Sequence, residues 1–377
     1  MEKKKHILIG MIEVGYGHRG PALVLQNALI DRYGPQVLVD VLDMVHAVGA
    51  LDDDRRIKGA WDFSIPHPVV VRLSYRAMET LYPAVSVVLR CAMPQFFSRT
   101  LEYLRLQPPD LVVATHPMVL RAVAWARRKG GFSFPVVALV VDPLNAYALW
   151  ADPAVDLFLV HSEWARADLL RRGIAPDRIG LVPYPLLPAM KSSEKGRDEL
   201  CSLYGVGADG KPVVLVTSGA QGLGRVYGFV ERAYEENLPF DFLVVTGKNQ
   251  ALFQRMQALA TRPRKGRLVP LGQVSCMEDL YTLCDVVTGK VGAATCMETL
   301  YHQRPFLCTE WVAQNDYRLL KFLKEENLGC YAPRYTSFVQ FLQEERWHSC
   351  KKSSIVFSNS GILEALASLV EEGGSLE

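Results

Sequence analysis

The stretch Asp285-Val286-Val287-Thr288-Gly289-Lys290-Val291-Gly292-Ala293-Ala294-Thr295-Cys296-Met297-Glu298 decides how this chain folds. Asp285–Thr288 is a short apolar run of the strand type, and the residues after Gly292 form a helix. The small residues at 292–294 allow close backbone approach at that helix start, where exposed N–H groups and the helix dipole favour an anion such as a diphosphate. Glu298 lies on the helix, where its carboxylate could accept bonds from two ribose hydroxyls. Two other readings stay open: a solvent-exposed helical glutamate at 298, and an N-cap at Thr295.

The same strand–loop–helix unit recurs on both sides of this stretch. Val213–Thr217 leads into Ser218-Gly219-Ala220-Gln221-Gly222-Leu223-Gly224 and a helix through about Glu235. Glycines there bring backbone N–H groups near a phosphate, although many α/β turns need glycine for the chain path alone. Phe242–Thr246, Leu268–Leu271 and Pro305–Cys308 are further strands. In the first half, Ile7–Ile9 precedes the turn Gly15-Tyr16-Gly17-His18, and Pro21 fits the first turn of the following helix. Val37–Val41, Leu111–Ala114, Val136–Val141, Leu157–Val160 and Ile179–Val182 continue the series, with helices at Val119–Arg128 and Glu163–Arg172. Apolar strands alternating with amphipathic helices imply an α/β chain of parallel sheets covered on both faces. The expected division is a Rossmann-like domain at 1–190, a second at 191–360, and a C-terminal helix and tail at 361–377. Lys191–Asp198 reads as the linker. Two doubly wound halves would face each other across an interdomain cleft.

Composition sets further bounds. Of 377 residues, 49% are hydrophobic and 22% charged, which is globular and not disordered. A net charge of +2 gives no reason to expect nucleic acid. From Arg55 to Gly130, however, 12 Lys and Arg stand against four acids. That excess is either a solvated helical face or a surface that attracts anionic lipid head groups. Region 60–106 breaks the alternation and is rich in aromatics and arginines. Val85–Met93 with Phe96-Phe97 reads as an amphipathic membrane-facing surface or as two ordinary helices packed on the sheet. The eight cysteines include no CxxC pair, which favours a reducing compartment over a zinc site or disulfide framework. No apolar run reaches the roughly 20 residues a spanning helix needs, so any membrane contact is expected to be peripheral. The early apolar run ends at Ile12 and is followed by Glu13, as in a first strand rather than a secretory leader. Asp52-Asp53-Asp54 reads as a solvated acidic turn.

Several of these motifs, in order, resemble those of the diacylglycerol glycosyltransferases, the group containing plant monogalactosyldiacylglycerol synthases and, more broadly, MurG-like enzymes. Lys290-Val291-Gly292-Ala293-Ala294-Thr295-Cys296-Met297-Glu298 is similar to their Lys-Pro-Gly-Gly-x-Thr-x-x-Glu motif. Gly15-Tyr16-Gly17-His18, Thr115-His116-Pro117, Val141-Asp142 with Trp150, Gly180–Pro185, Gly247-Lys248-Asn249, and Gly272 with Met277 resemble others. This chain departs from the pattern at Tyr16, Gly289, Val291 and Tyr147.

The resemblance implies a GT-B fold and an inverting, metal-independent transfer of a hexose from a UDP-sugar, UDP-glucose or UDP-galactose, to a lipid such as diacylglycerol. No cofactor is implied beyond the UDP-sugar co-substrate. Gly219, Gly222, Gly292, Ala293 and Thr295 would lie near the diphosphate and Glu298 at the ribose, with Lys248, Gly272 and Met277 also on the donor side. Asn315 and Asp316 would touch the sugar, with Gln314 in reserve. Gly17, His116 and Trp150 would serve the acceptor.

An attacking hydroxyl needs a base near working pH, and histidine suits that task. His18 is the first candidate, Asp142 an alternative base or orienting group, and His116 a third. The implied setting is cytoplasmic, on an anionic membrane surface. A GT-B enzyme with a non-lipid acceptor, a UDP-sugar epimerase and a catalytically silent nucleotide-sugar binder are the competing readings.

Overall fold

The computed structural model describes residues 4–13, 16–64, 68–219 and 221–371. Gly15 of the first glycine turn, Ala220 of the second and the tail beyond 371 lie outside them. The chain divides into two compact units. The first is Met1–Leu186 with Val312–Asn315 and Val356–Glu377; the second is Leu187–Trp311 with Asp316–Ile355.

The first unit runs β1 (Lys5–Met11), α1 (Tyr16–Tyr33), β2 (Val37–Asp43), α2 (Met44–Ala47), α3 (Leu51–Ser64), α4 (Pro68–Thr80), α5 (Val85–Ala92) and α6 (Pro94–Leu106). It continues with β3 (Leu111–Ala114), α7 (Pro117–Gly130), β4 (Val136–Leu139), β5 (Leu157–Val160), α8 (Glu163–Leu170) and β6 (Ile179–Leu181). The sheet order is β2-β1-β3-β4-β5-β6, with every pairing parallel. Strands buried on both faces need unbroken aliphatic runs, and β3 and β4 are buried throughout. The chain leaves β1 in opposite directions toward β2 and β3. That reversal opens a crevice at the carboxyl ends of β1 and β3, the usual ligand position in such sheets.

The second unit comprises α9 (Arg197–Tyr204), β7 (Val213–Val216), α10 (Val226–Glu235), β8 (Asp241–Val245), α11 (Gln250–Ala260), β9 (Leu268–Leu271), α12 (Met277–Leu283) and β10 (Val286–Lys290). Then come α13 (Ala293–Tyr301), β11 (Phe306–Glu310), α14 (Gln314–Glu325), β12 (Gly329–Tyr331) and α15 (Tyr335–Gln343). Its order, β12-β11-β10-β7-β8-β9, places the equivalent reversal between β7 and β10.

Three local expectations change. The last helix, α16 (Ser360–Glu371), joins the first unit's core through Ile362, Leu366 and Leu369. Lys5 fastens its end, donating to the carbonyls of Leu369 and Val370 at 2.5 and 2.9 Å. Lys191–Asp198 is not a free linker, because Lys195 pairs with Asp279 at 3.3 Å and Arg197 forks onto Asp285 at 2.8 and 2.9 Å, all within the second unit. The Asp52–Asp54 run is the first turn of α3, where buried Asp53 accepts from the Phe96 N–H at 2.8 Å and so caps α6.

In region 60–106, Phe96 and Phe97 are core residues, at 0% and 1% exposure, and Val85 is buried. The exposed apolar strip lies on α4 and the outer face of α5. Val69, Leu73 and Val87 are 63%, 62% and 53% exposed there.

Candidate active site

In the first unit, the reversal between β1 and β3 sets α1 beside the start of α7. His18 sits in the first turn of α1, directly after β1, and His116 directly after β3. The two rings lie 4.4 Å apart at 56°. Thr115, wholly buried, clamps His18 from both ends. Its carbonyl oxygen lies 2.6 Å from His18 Nδ1, and its hydroxyl donates to the His18 carbonyl at 3.1 Å.

These contacts assign the tautomers. A carbonyl can only accept, so His18 Nδ1 carries hydrogen and Nε2 keeps its lone pair. His116 takes the opposite form. Its Nδ1 accepts from the Met118 N–H at 3.2 Å, capping α7, so its proton is on Nε2. Burial pushes His18 below its ordinary 6.5, while the Thr115 carbonyl and the Asp142 charge pull it partly back. His116 is held well below 6.5 by burial and then by His18. Both rings are therefore neutral near pH 7. His18 presents a proton acceptor and His116 a proton donor.

Asp142 follows β4 and is buried. Its Oδ2 accepts from the Trp150 indole N–H at 3.0 Å and its Oδ1 from the Asn315 amide at 2.7 Å. These two donors fix the orientation of the carboxylate. Trp150 is fully buried, with its indole N–H committed to Asp142. Asn315 was expected at the donor sugar; within the first unit its amide is bound to Asp142, and its Oδ1 is buried without a partner. Gly17 lies in the first turn of α1, with open space where a Cβ would stand.

Arg121 of α7 is the largest feature the sequence did not signal. It is 2% exposed, and all five of its N–H groups are used. They reach the Leu149, Ala148 and Ala151 carbonyls, the Ser86 hydroxyl and Asp152. The helix that His116 caps is thereby riveted to the loop that carries Trp150.

In the second unit, the loops after β7 and β10 flank the reversal. Gly222 has φ +56°, and a Cβ there would stand 2.0 Å from the Thr246 carbonyl oxygen, so only glycine fits. At Gly289 a Cβ would fall 1.7 Å from the Thr217 carbonyl oxygen, which accounts for glycine in the position before Lys290. The Ser218 hydroxyl ties the two loops by accepting the Lys290 N–H at 3.1 Å. Gly219 is exposed at the loop tip, with space around it.

The N-cap of α13 is Gly292, with no side-chain cap, so Thr295 is a residue of the first turn and not the cap. Ala293 and Thr295 N–H groups are left for an anion. Lys290 Nζ lies 3.9 Å from Asp316, which is buried at the start of α14. Glu298 is not a solvated helical glutamate. It is 8% exposed, and Oε2 accepts from the Tyr281 hydroxyl at 2.9 Å. Burial raises its pKa to about 7, and the Tyr281 bond opposes that rise. Lys248 is exposed after β8, while Gly272 follows β9 and Met277 opens α12, both half-buried. Gln314 is exposed at the first residue of α14.

Comparison with known proteins shows what this chain is similar to. A model of the family described as monogalactosyldiacylglycerol (MGDG) synthase matches residues 18–185, the stretch that begins at His18 and includes His116, Asp142 and Trp150. A "probable monogalactosyldiacylglycerol synthase, chloroplastic" of Nicotiana tabacum is 22% identical over 346 residues, which is 88% of this chain. The chain is a relative of the MGDG synthases. It spans 62% of the length of that tobacco protein.

Solved structures agree on the fold. MurG of Acinetobacter baumannii has a TM-score of 0.62 at 14% identity, covering 98% of this chain and 99% of its own. The UDP-GlcNAc 2-epimerase of Neisseria meningitidis, bound to UDP-GlcNAc, has a TM-score of 0.60 at 13% identity, covering 97% and 100%. The fold is GT-B, as the motif order implied.

Proposed function

We propose that this relative of the MGDG synthases transfers a hexose from a UDP-sugar to a hydroxyl of a lipid such as diacylglycerol, with inversion and without a metal. The observation that carries the reading is the tautomer of His18. Its Nδ1–H is committed to Thr115, which leaves the Nε2 lone pair at the β1/β3 reversal with the Asp142 charge to stabilise an imidazolium.

In the proposed step, Nε2 of His18 takes the proton of the acceptor hydroxyl. The acceptor oxygen bonds to the anomeric carbon, and the bond from that carbon to the diphosphate breaks, with UDP leaving. The leaving charge is met by N–H groups of the Gly219–Gly222 loop, the open start of α13 and Lys290. UDP-glucose and UDP-galactose are the proposed donors. Support comes from the likeness to the tobacco protein, a probable monogalactosyldiacylglycerol synthase, and from the UDP-GlcNAc in the Neisseria structure.

The lipid half of the reading rests on α4 and α5. Exposed Val69, Val70, Leu73, Val87 and Val88 lie among Arg72, Arg76 and Arg90, an arrangement suited to an anionic bilayer surface. Among the described residues no helix is long and apolar enough to cross a membrane. The proposed setting is peripheral, on the cytoplasmic face of a membrane.

Incubating the protein with UDP-glucose or UDP-galactose and total lipid extract, with mass spectrometry of the products, tests the assignment. A hexosyl lipid is expected. Donor turnover without lipid would replace transfer with acceptor-free chemistry such as epimerisation. UDP binding without any turnover would make the protein a silent nucleotide-sugar binder.

A further inference from the structure

We infer that Tyr281 is a positioning residue for the nucleotide, its hydroxyl holding the Glu298 carboxylate in the orientation that receives the ribose. The inference rests on the assignment of Glu298 to the ribose. Tyr281 lies on α12, 17 positions from Glu298.

Tyr281 is fully buried and its ring stacks on His302 at 4.8 Å and 9°. Its carbonyl accepts from Arg304 Nε at 2.9 Å, and His302 is itself held by the Ala189 carbonyl at 2.7 Å. A ring fixed on its face and through its backbone holds the hydroxyl against Oε2 of Glu298, with the Thr299 side chain of α13 also bonded to it. With Oε2 engaged, the carboxylate cannot rotate about its last torsion, and Oε1 keeps a set aim. A carboxylate that accepts two vicinal hydroxyls needs that aim, because each good bond depends on lone-pair direction.

The bond also bears on the charge of Glu298. Burial raises the pKa of this carboxyl to about 7, and the Tyr281 hydroxyl works against that rise. The other titratable groups around the pair do not change state between pH 7 and 9. Tyr281 is held well above 10 and Cys284 of α12 is pushed up to about 12, chiefly by burial. Cys296 on α13 is raised by burial, and His302 lies below 6.5 for the same reason. Arg304 carries a fixed charge, and Glu278, the remaining acid acting on His302, is paired with Lys191 at 3.0 Å. Removing the hydroxyl should therefore let Glu298 hold its proton to higher pH, and the deficit should shrink as pH rises.

Calorimetric titration of UDP into wild type, Tyr281→Phe and Glu298→Gln at pH 7 and pH 9 tests this. Tyr281→Phe is expected to weaken UDP about five-fold at pH 7, the worth of one ordinary hydrogen bond, and by less at pH 9, where the carboxylate is ionised in both proteins and only the lost aim remains. Toward 2′-deoxy-UDP, which lacks one of the two hydroxyls, the pH 7 deficit should be smaller than toward UDP. A Tyr281→Phe deficit that is equal at both pH values and for both nucleotides would mark a merely structural role and overturn the inference, as would no deficit. Glu298→Gln separates the two claims. Unchanged UDP affinity in that variant removes the ribose assignment itself. A loss there with no pH-dependent deficit in Tyr281→Phe removes only the role of Tyr281.

Discussion

Glu298 and His18 both sit where burial opposes their charged forms. For Glu298, the folded pKa of about 7 lies above its ordinary 4.5. Its contribution to stability is therefore full below pH 4.5 and is lost as pH rises through 7. At pH 8 the ionised carboxylate costs on the order of 3 kcal/mol. Glu298→Gln, which can still accept the Tyr281 bond, should raise unfolding free energy in urea by about 2–3 kcal/mol at pH 8 and leave it nearly unchanged at pH 4. No gain at pH 8 would show that the carboxylate is better solvated than its 8% exposure implies.

For His18 the sign is reversed. Its folded pKa is below 6.5, so stability falls as the solution is acidified and the ring must charge. The catalytic consequence is an acid limb in kcat/KM with its midpoint below 6.5. A midpoint above 6.5 would mean that Asp142 outweighs burial. His18, Asp142 and Glu298 were singled out by their motifs together with the family those motifs resemble. Their partners Thr115, Tyr281 and Asn315 were not legible in these roles, because the contacts join positions 97, 17 and 173 residues apart. Spacing along one strand or helix carries no trace of such pairings.

At the scale of elements, the molecule depends on how α7 is held. Arg121 satisfies three carbonyls, a hydroxyl and a carboxylate at once. Arg121→Ala leaves Asp152 buried without that partner and should destabilise the first unit by about 3–5 kcal/mol in denaturant titration. Arg121→Lys should recover little of it, since an ammonium cannot reproduce the five-donor fork. Recovery by lysine would reduce the contact to simple charge pairing.

Strand readings survived well at this scale, because strands buried on both faces are unbroken aliphatic runs. Leu111–Ala114 and Leu157–Val160 coincide with β3 and β5, while Leu268–Leu271 coincides with β9, a half-buried edge strand found from its apolar run alone. β12 escaped notice, since Gly329–Tyr331 is a half-buried three-residue edge strand without alternation. In α5 and α6 the periodicity revealed an apolar face but not what covers it. Phe96 and Phe97 went to the core, and Val87 and Val88 were left exposed.

At the scale of the whole molecule, one chain carries two doubly wound units with different equipment. The first holds the proton-handling groups and the exposed apolar strip, and the second holds the glycine loops and the uncapped helix start. Replacing Val69, Leu73 and Val87 by serine should weaken flotation with anionic vesicles at least ten-fold, and binding to those vesicles should fall with added salt. Salt-independent or absent vesicle binding would remove the bilayer from the account and with it the lipid acceptor. The repeat of strand–loop–helix units made the two-unit plan readable from sequence. The return of Val312–Asn315 and of the C-terminal helix to the first unit was not readable, because both depend on tertiary contacts that local pattern does not encode.

The most direct test pairs two measurements on one preparation of His18→Ala: hexosyl transfer to lipid, and UDP affinity by calorimetry. The account predicts transfer reduced by about 10²–10⁴-fold with UDP affinity unchanged within about two-fold. Transfer at the wild-type rate would contradict it.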